Sequence, residues 1–225
     1  ISRFTSKDEL PDFNVIGADQ VVSSGPSCSP KIHSVASSTK FHAMAYEAGV
    51  GVTFDNGYRI VLYDRNSGAV VKSIDPGTDI FGAAVTTLKL AFVGDRYLHV
   101  WALAGTVKSA VYDTAAVPIA LVTTAIVQAA SPSTLVDIDV TSDRSFALTD
   151  LGGTTTLRGN LNTGVAMTGS ATTTSPAIAI SVFGTSVWYT TTTNAGARLT
   201  TNLATVAVAD AAGGPGNTAN IVATS

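Results

Sequence analysis

Residues 58–75 read YRIVLYDRNSGAVVKSID, and this stretch decides the fold. β-branched and aromatic residues flank a short DRNSG segment, which predicts strands at 58–63 and 69–74 joined by a turn at 64–68. The Asn and Gly of that segment tolerate the positive φ that a tight turn requires. The stretch is therefore predicted to be a β-hairpin.

The same pattern returns in residues 154–169, which read TTTLRGNLNTGVAMTG. Thr154 takes the place of Tyr58, and Gly164 takes the place of Gly68. The two copies lie 96 residues apart, which predicts repeating units of about 48 residues.

Four short segments with alternating apolar residues open four such units. In the third, Val136, Ile138 and Val140 share one face, and Asp137 and Asp139 share the other. A period of two predicts half-buried strands. The predicted first strands are 41–46, 88–93, 135–140 and 177–183; the second are 50–54, 97–102, 145–149 and 187–192; the third are 58–63, 106–112, 154–159 and 198–203; the fourth are 69–74, 118–127, 165–169 and 205–208.

Four strands per unit and a period in the forties are typical of β-propeller blades. The predicted fold class is all-β, with about four recognisable four-stranded blades over 41–210. Residues 1–40 are predicted to be a lead-in segment with short strands, and residues 211–225 a linker with a terminal strand.

The ring of blades has to close or find a partner, because each blade buries both faces of its sheet against its neighbours. An open arc of four blades would leave two apolar faces in water, and large exposed apolar patches usually mark a partner. Three arrangements satisfy this constraint: a four-bladed ring, a five-bladed ring that uses the terminal strands, or half of a larger propeller completed by another segment or chain. We expect a ring closed with help from the N-terminal strands.

Residues 59–74 (RIVLYDRNSGAVVKSI) and 136–148 (VDIDVTSDRSFAL) resemble the repeats of WD40-like and YVTN-type β-propellers. The resemblance extends over about residues 41–208, and the first and third units carry it. It implies blades arranged around an axis, and it does not indicate a ligand.

The composition argues against several classes of function. Hydrophobic residues make up 45% of the chain and charged residues 13%, which argues against intrinsic disorder. The net charge is −3 and no basic cluster occurs, so we expect no nucleic-acid partner. The uncharged runs 114–136 and 159–197 contain too many Thr, Ser, Gly and Pro residues for a membrane-spanning helix. No signal peptide is visible, so the localisation is not readable from the sequence.

Motifs for cofactors and metals give no firm match. The Asp137-x-Asp139-x-Thr141-x-Asp143 spacing suits calcium, but the loop lacks the Gly and the terminal Glu of such sites. Asp137 and Asp139 are more simply the outward face of a strand, with Asp143 in its turn. His42 is expected to lie on a blade surface or to line the channel. We therefore predict no metal, no cofactor and no catalytic residue.

Binding is expected on the loops that join second to third strands and on the connectors between blades. In propellers these loops gather at one face, and loops carry function more often than strands do. This face would be polar and mildly acidic. The candidate binding residues are Asp55, Asn56, Asp75, Asp79, Asp150 and Asn194.

The predicted function is a non-enzymatic scaffold that docks protein partners or copies of itself. The low charge and the long uncharged strands favour a subunit of a large assembly, such as a virion or bacteriophage tail. One alternative is a glycan- or ligand-binding module, which requires Trp101 or Trp188 to be exposed. A second alternative is an enzyme that uses the axial funnel of the propeller.

Overall fold

The computed structural model of the chain describes residues 32–47, 58–128, 133–161, 167–172, 177–191 and 196–200. Within these ranges the chain forms fifteen strands and one short helical turn. The strands make four antiparallel sheets, and in each sheet every strand pairs with the next one along the chain. The chain thus completes one sheet before it begins another.

The four sheets contain four, four, four and three described strands. In each sheet the first strand lies at one edge and the last at the other, an order typical of a β-meander. The bounds are β1 Ile32–Ser37, β2 Phe41–Glu47, β3 Tyr58–Asp64 and β4 Val70–Ile74; β5 Thr87–Val93, β6 Tyr97–Ala104, β7 Thr106–Asp113 and β8 Ala120–Gln128; β9 Ser133–Val140, β10 Arg144–Leu151, β11 Thr154–Leu161 and β12 Met167–Thr172; β13 Ala177–Phe183, β14 Ser186–Thr191 and β15 Gly196–Thr200.

The predicted hairpin at 58–75 is confirmed as the pair β3 and β4. Its turn is built by Asp64, whose Oδ1 accepts hydrogen bonds from the backbone N–H groups of Asn66 (3.1 Å) and Ser67 (2.8 Å). Gly68 has a φ of 69° and donates its N–H to the Asp64 carbonyl oxygen at 2.8 Å. The turn therefore depends on one carboxylate and on one residue that tolerates a left-handed backbone.

The repeat is confirmed by the third strands. β3, β7 and β11 begin at Tyr58, Thr106 and Thr154, so successive third strands start 48 residues apart. The second and third sheets follow the predicted strand order throughout, and the predicted fourth strand of the fourth sheet lies outside the described residues.

The first sheet begins earlier than the sequence predicts. Phe41–Glu47 is its second strand rather than its first, because Ile32–Ser37 pairs with it antiparallel at the inner edge. The predicted second strand at 50–54 lies outside the described residues. The sequence of β1, IHSVAS, places polar residues among few apolar ones, so it carries a weak strand signal.

Apolar side chains fill the space between neighbouring sheets. Trp101 and Val107 of the second sheet pack against Leu135 and Ala147 of the third. The first and second sheets share the largest cluster, which includes Ala43, Ala45, Ile60, Leu62, Leu88, Leu90, Phe92, Leu98 and Val100. The third and fourth sheets share Phe146, Leu148, Leu157, Ala177, Ile180, Val187 and Tyr189.

The inner strands contact one another in the order β1, β5, β9 and β13. Among the residues that the structure describes, no comparable packing joins β13 back to β1, so the four sheets form an open arc. Apart from residues 32–40, which include β1, the terminal segments that we expect to close the ring lie outside the described ranges. Closure and the domain boundaries at 1–40, 41–210 and 211–225 therefore stay predictions.

A helical turn at Pro76–Phe81 connects the first sheet to the second. Phe81 enters the core between these sheets, and Gly82 ends the turn with a left-handed φ of 62°. No helix in the described part of the chain is long and apolar enough to cross a membrane.

A buried polar contact links the second and third sheets. Ser145 Oγ accepts a hydrogen bond from Trp101 Nε1 at 3.0 Å and lies 2.6 Å from His99 Nδ1. All three side chains are fully buried. A buried polar group without a partner is costly, so this contact fixes how the two sheets pack.

We expect Ser145→Ala to lower the free energy of unfolding by about 1–3 kcal/mol, because it leaves Trp101 Nε1 without its buried acceptor. Chemical denaturation with fluorescence detection measures the change. Ser142→Ala is the matched control, since Ser142 is exposed in the turn before β10 and its loss should change stability by less than about 0.5 kcal/mol. Equal effects of the two substitutions would contradict the role given to Ser145.

Candidate functional site

Asp75 and Asp79, two of the predicted binding residues, lie together at the helical turn after the first sheet. Asp75 Oδ1 accepts a hydrogen bond from the Thr78 N–H at 3.1 Å, and its other carboxylate oxygen lies 3.4 Å from Arg59 Nη1. Asp79 Oδ2 accepts a hydrogen bond from the Asp75 N–H at 2.7 Å. Both carboxylates therefore stabilise their own turn.

Asp150, a third predicted binding residue, lies near the end of β10. Its Oδ1 accepts a hydrogen bond from the Gly153 N–H at 3.1 Å, which closes the turn into β11. Antiparallel strand order puts this turn at the same end of the sheets as the connector with Asp75 and Asp79, but the whole second sheet lies between them. Asp55, Asn56 and Asn194 lie outside the described residues, so a common binding face stays a prediction.

A cavity of about 290 Å³ lies instead where the inner strands β1, β5 and β9 converge. It is nearer to the turns that join first and second strands, at the opposite end from the predicted loops. Most of the lining residues have apolar side chains, with Ser37 and Asp139 the polar ones, but polar and apolar atoms contribute about equally to its surface. The full lining is Val35, Ala36, Ser37, Leu90, Ala91, Phe92, Ile138, Asp139 and Val140.

The outward orientation predicted for Asp137 and Asp139 is wrong. Both side chains are half-buried and reach the inner strand of the fourth sheet: Asp137 Oδ2 accepts from the Ile180 N–H at 3.1 Å, and Asp139 Oδ2 accepts from the Val182 N–H at 2.6 Å. The prediction failed because the third sheet has a neighbour on both faces, so polar positions of its inner strand also meet protein.

The two carboxylates differ in their charge partners. Asp137 lies 3.4 Å from Lys89 Nζ of the second sheet. Asp139 takes part in none of the ion pairs of the described chain, and its second oxygen accepts only from the adjacent Val140 N–H at 2.8 Å. Burial raises the pKa of Asp139, and the nearby charge of Asp137 adds to this increase. Within the described ranges, no Lys or Arg side chain forms an ion pair with the Asp139 carboxylate in the cavity wall.

Ser37 and His42 meet at the rim of the cavity. Ser37 Oγ lies 2.8 Å from His42 Nδ1, across the pair β1 and β2. Burial lowers the pKa of His42, and the positive charge of Arg65 lowers it further, so the imidazole is neutral near pH 7. The sequence predicts that His42 lies on a blade surface or lines the channel.

The glycan alternative depended on exposed tryptophans. Trp101 is fully buried between the second and third sheets, so it offers no stacking surface to a sugar. Trp188 is half-buried on β14. The described residues contain no group of three or more His, Cys, Asp or Glu side chains placed to hold a metal ion.

The outer strands of the first two sheets, and the turn that leads into β8, expose aliphatic side chains. We call this set the rim patch, and Val117, the residue before Pro118, is its most exposed member at 98%. Lys72 Nζ of β4 donates a hydrogen bond to the Ile119 carbonyl oxygen at 2.9 Å, which brings the two outer edges together. The rim patch comprises Val70, Val71, Val117, Leu121 and Val122.

No family model and no curated protein matches the chain. Solved structures do match it. The computationally designed Ika4 protein aligns with a TM-score of 0.54 and 15% identity over 81% of this chain and 99% of that one. The Dos1 propeller aligns with a TM-score of 0.52 and 13% identity, and the Pan2 WD40 domain of Neurospora crassa with 0.50 and 10%.

The fold is a β-propeller. The four consecutive antiparallel sheets with adjoining inner strands and the alignment to known propellers agree on this point. The predicted all-β class and the resemblance to propeller repeats are thereby confirmed. The alignment with Dos1 covers 79% of this chain and 46% of Dos1, and the alignment with Pan2 covers 76% of this chain and 49% of Pan2. This chain therefore spans about half the length of these larger propellers.

The pH dependence of stability should distinguish Asp139 from Asp143. Folding raises the pKa of Asp139 above its ordinary value of 3.8, so between these two pKa values the folded form binds more protons than the unfolded form. The contribution of Asp139 to the free energy of unfolding therefore falls as pH rises from 3.8 through the pKa of the folded state. Asp143 behaves oppositely: a hydrogen bond from Arg144 lowers its pKa, so its stabilisation is present above pH 3.8 and is lost as pH falls.

Asp139→Asn should therefore become more stable relative to the wild type as pH rises from about 3 to 6, and Asp143→Asn less stable. Urea denaturation at each pH measures both slopes. Slopes of the same sign for the two variants would contradict the environments described for these carboxylates.

Proposed function

We propose that this propeller is a non-enzymatic scaffold that docks copies of itself or other proteins in a large assembly. The observation that supports the proposal is the rim patch, five exposed aliphatic side chains on the adjoining outer edges of two sheets. Exposed apolar side chains grouped at one edge of a folded protein favour a site of protein contact; here consecutive residues such as Val70 and Val71 face opposite sides of their strand, so the edge is apolar on both sides.

The charge distribution around the rim patch favours the same proposal. The chain carries no charged residue from Thr114 to Val136, a run that contains the whole of β8. Outer strands that face water normally carry charges that prevent edge-to-edge association. An uncharged outer edge fits a surface that is covered in the assembled state.

The proposed assembly is a virion or bacteriophage tail, or a particle of similar construction. Subunits of such particles bury much of their surface against one another, so they need few solubilising charges, and this chain has only 13% charged residues. The interaction face predicted at Asp55, Asn56, Asp75, Asp79, Asp150 and Asn194 is a second proposed contact region at the loop end.

Light scattering after size-exclusion chromatography tests the docking role directly. We expect the full chain to associate with itself as its concentration rises. The double variant Val117→Lys/Leu121→Lys should weaken this association about tenfold or more, because it places two charges in a contact that buries apolar surface.

Ile178→Lys is the matched control, since Ile178 is an exposed aliphatic residue on the inner strand β13, away from the rim patch. It should associate as the wild type does. A wild-type chain that stays monomeric at every concentration and binds sugars on a glycan array would reject the docking proposal in favour of the glycan alternative.

A further inference from the structure

The face of the first sheet that points away from the second sheet carries a buried apolar cluster. We call it the far-face cluster; it consists of Met44 and Tyr46 of β2 and Val61 and Tyr63 of β3. Tyr63 is its least exposed member at 2%. Burial raises the pKa of both Tyr46 and Tyr63, as expected for phenols that lie under other protein atoms.

The far-face cluster differs from the other apolar clusters of the described chain. Each of the others joins two neighbouring sheets, whereas this one takes all its side chains from the first sheet. Among the described elements, the second sheet packs on the opposite face, and the fourth sheet makes no comparable contact with the first. A tyrosine on a sheet face is withdrawn from water only where other chain lies over it. The cover must therefore come from residues outside the described ranges.

The loop between β2 and β3 does not account for this cover by itself. Residues 48–57 join the two strands at the end where Glu47 pairs with Tyr58. Tyr63 lies at the other end of β3, about 17 Å away at ~3.3 Å per residue. A loop that is tethered at both ends would have to be fully extended on its way out and back to reach Tyr63.

Composition distinguishes the two long segments outside the described ranges, residues 1–31 and 201–225. The second is predicted to supply the fourth strand of the fourth sheet at 205–208, and beyond that strand its only large apolar residues are Ile221 and Val222. Burial of apolar area is what holds a segment on an apolar cluster. Residues 8–22, DELPDFNVIGADQVV, supply far more of it, from Leu10, Phe13, Val15, Ile16, Val21 and Val22.

The place and the charge of residues 8–22 fit the far-face cluster as well. The segment leads into Ile32 of β1, which pairs with Tyr46 of the cluster. Arg59 pairs with Tyr46 from the other side, and Arg65 takes part in none of the ion pairs of the described chain. The segment carries only negative charges, at Asp8, Glu9, Asp12 and Asp19, and opposite charges favour one docking position over others.

We propose that residues 8–22 lie across the far-face cluster of their own chain, with their apolar side chains on its four residues and their carboxylates towards Arg59 and Arg65. The covalent tether to β1 gives this segment a high effective concentration at the cluster, which favours it over the same segment of a second copy. The inference does not rest on the proposed docking role, because it concerns a contact within one chain.

A nitroxide spin label on the full chain tests the proposal. The label is attached at Asn14→Cys in a Cys28→Ser background, because Cys28 is the single cysteine. In an extended segment Asn14 points away from the side that Phe13 and Val15 share, so the label leaves the contact intact. We expect the amide signals of the far-face cluster to lose most of their intensity in ¹⁵N spectra, and that of Leu148 in the third sheet to keep it.

The matched control carries the label at Asn217→Cys in the same background, within residues 201–225. This label should leave the signals of the far-face cluster unchanged. A mixture of ¹⁵N-labelled chain without nitroxide and spin-labelled chain without ¹⁵N shows whether the segment of a second copy reaches the cluster.

A second measurement follows the phenol of Tyr63 directly. The double variant Phe13→Ser/Val15→Ser should lower the pKa of Tyr63 towards its ordinary value of 10.0, because water then reaches the ring. The control Ile221→Ser/Val222→Ser should leave this pKa unchanged. Carbon-13 spectra of ring-labelled tyrosine measure both, and circular dichroism checks that both variants fold; the spin-label comparison stands without them.

Three results would overturn the proposal. The label at position 14 could leave the far-face cluster unaffected, or the label at position 217 could broaden it equally, which would assign the cover to the C-terminal segment. Broadening that occurs only between chains in the mixture would assign it to a second copy. None of these results depends on the association that Val117→Lys/Leu121→Lys tests, so failure of this proposal is distinguishable from failure of the docking role.

Discussion

Neighbouring sheets of this propeller bury their facing surfaces against each other, and side-chain oxygens complete the inner edge where two sheets meet. Ser34 Oγ accepts the Leu90 N–H at 2.8 Å, and Asp139 Oδ2 accepts the Val182 N–H at 2.6 Å. The inner strand of a sheet has no further strand on its axial side, so its backbone donors need such partners. Apolar clusters press the sheets together, and these polar contacts set the register between them.

The same constraint explains why the functional features separate into two zones. Near the axis the sheets converge, and Asp139, which serves as an acceptor there, also lines a small cavity. At the periphery the sheets diverge, and the outer strands β4 and β8 keep Val71 and Val122 exposed. The cavity near the axis and the exposed aliphatic side chains at the periphery thus arise from one radial arrangement.

Local chemistry made part of the fold predictable. The turn at Asp64 to Gly68 depends on residues within five positions of one another, so the hairpin and the regular recurrence of third strands could be predicted from the sequence. The inner strand of the first sheet could not, because Ile32–Ser37 contains few apolar residues and is stabilised by its pairing with β2. Asp75, Asp79 and Asp150, three of the residues expected to bind at the loop end, are hydrogen-bonded within their own turns, a role that Asp serves in many proteins.

The sequence by itself determined the strands, their turns and the repeated sheet, since alternation and turn chemistry act over a few residues. Only the tertiary structure decided that Trp101 donates to Ser145 and that Asp139 lines the cavity. The acceptor for Trp101 lies 44 residues further along the chain, and the partner of Asp139 lies 43 residues further. Contacts across one full repeat leave no local pattern in the sequence. The alternation of residues around Trp101 or Asp139 would be the same if the side chain faced water instead of a neighbouring sheet.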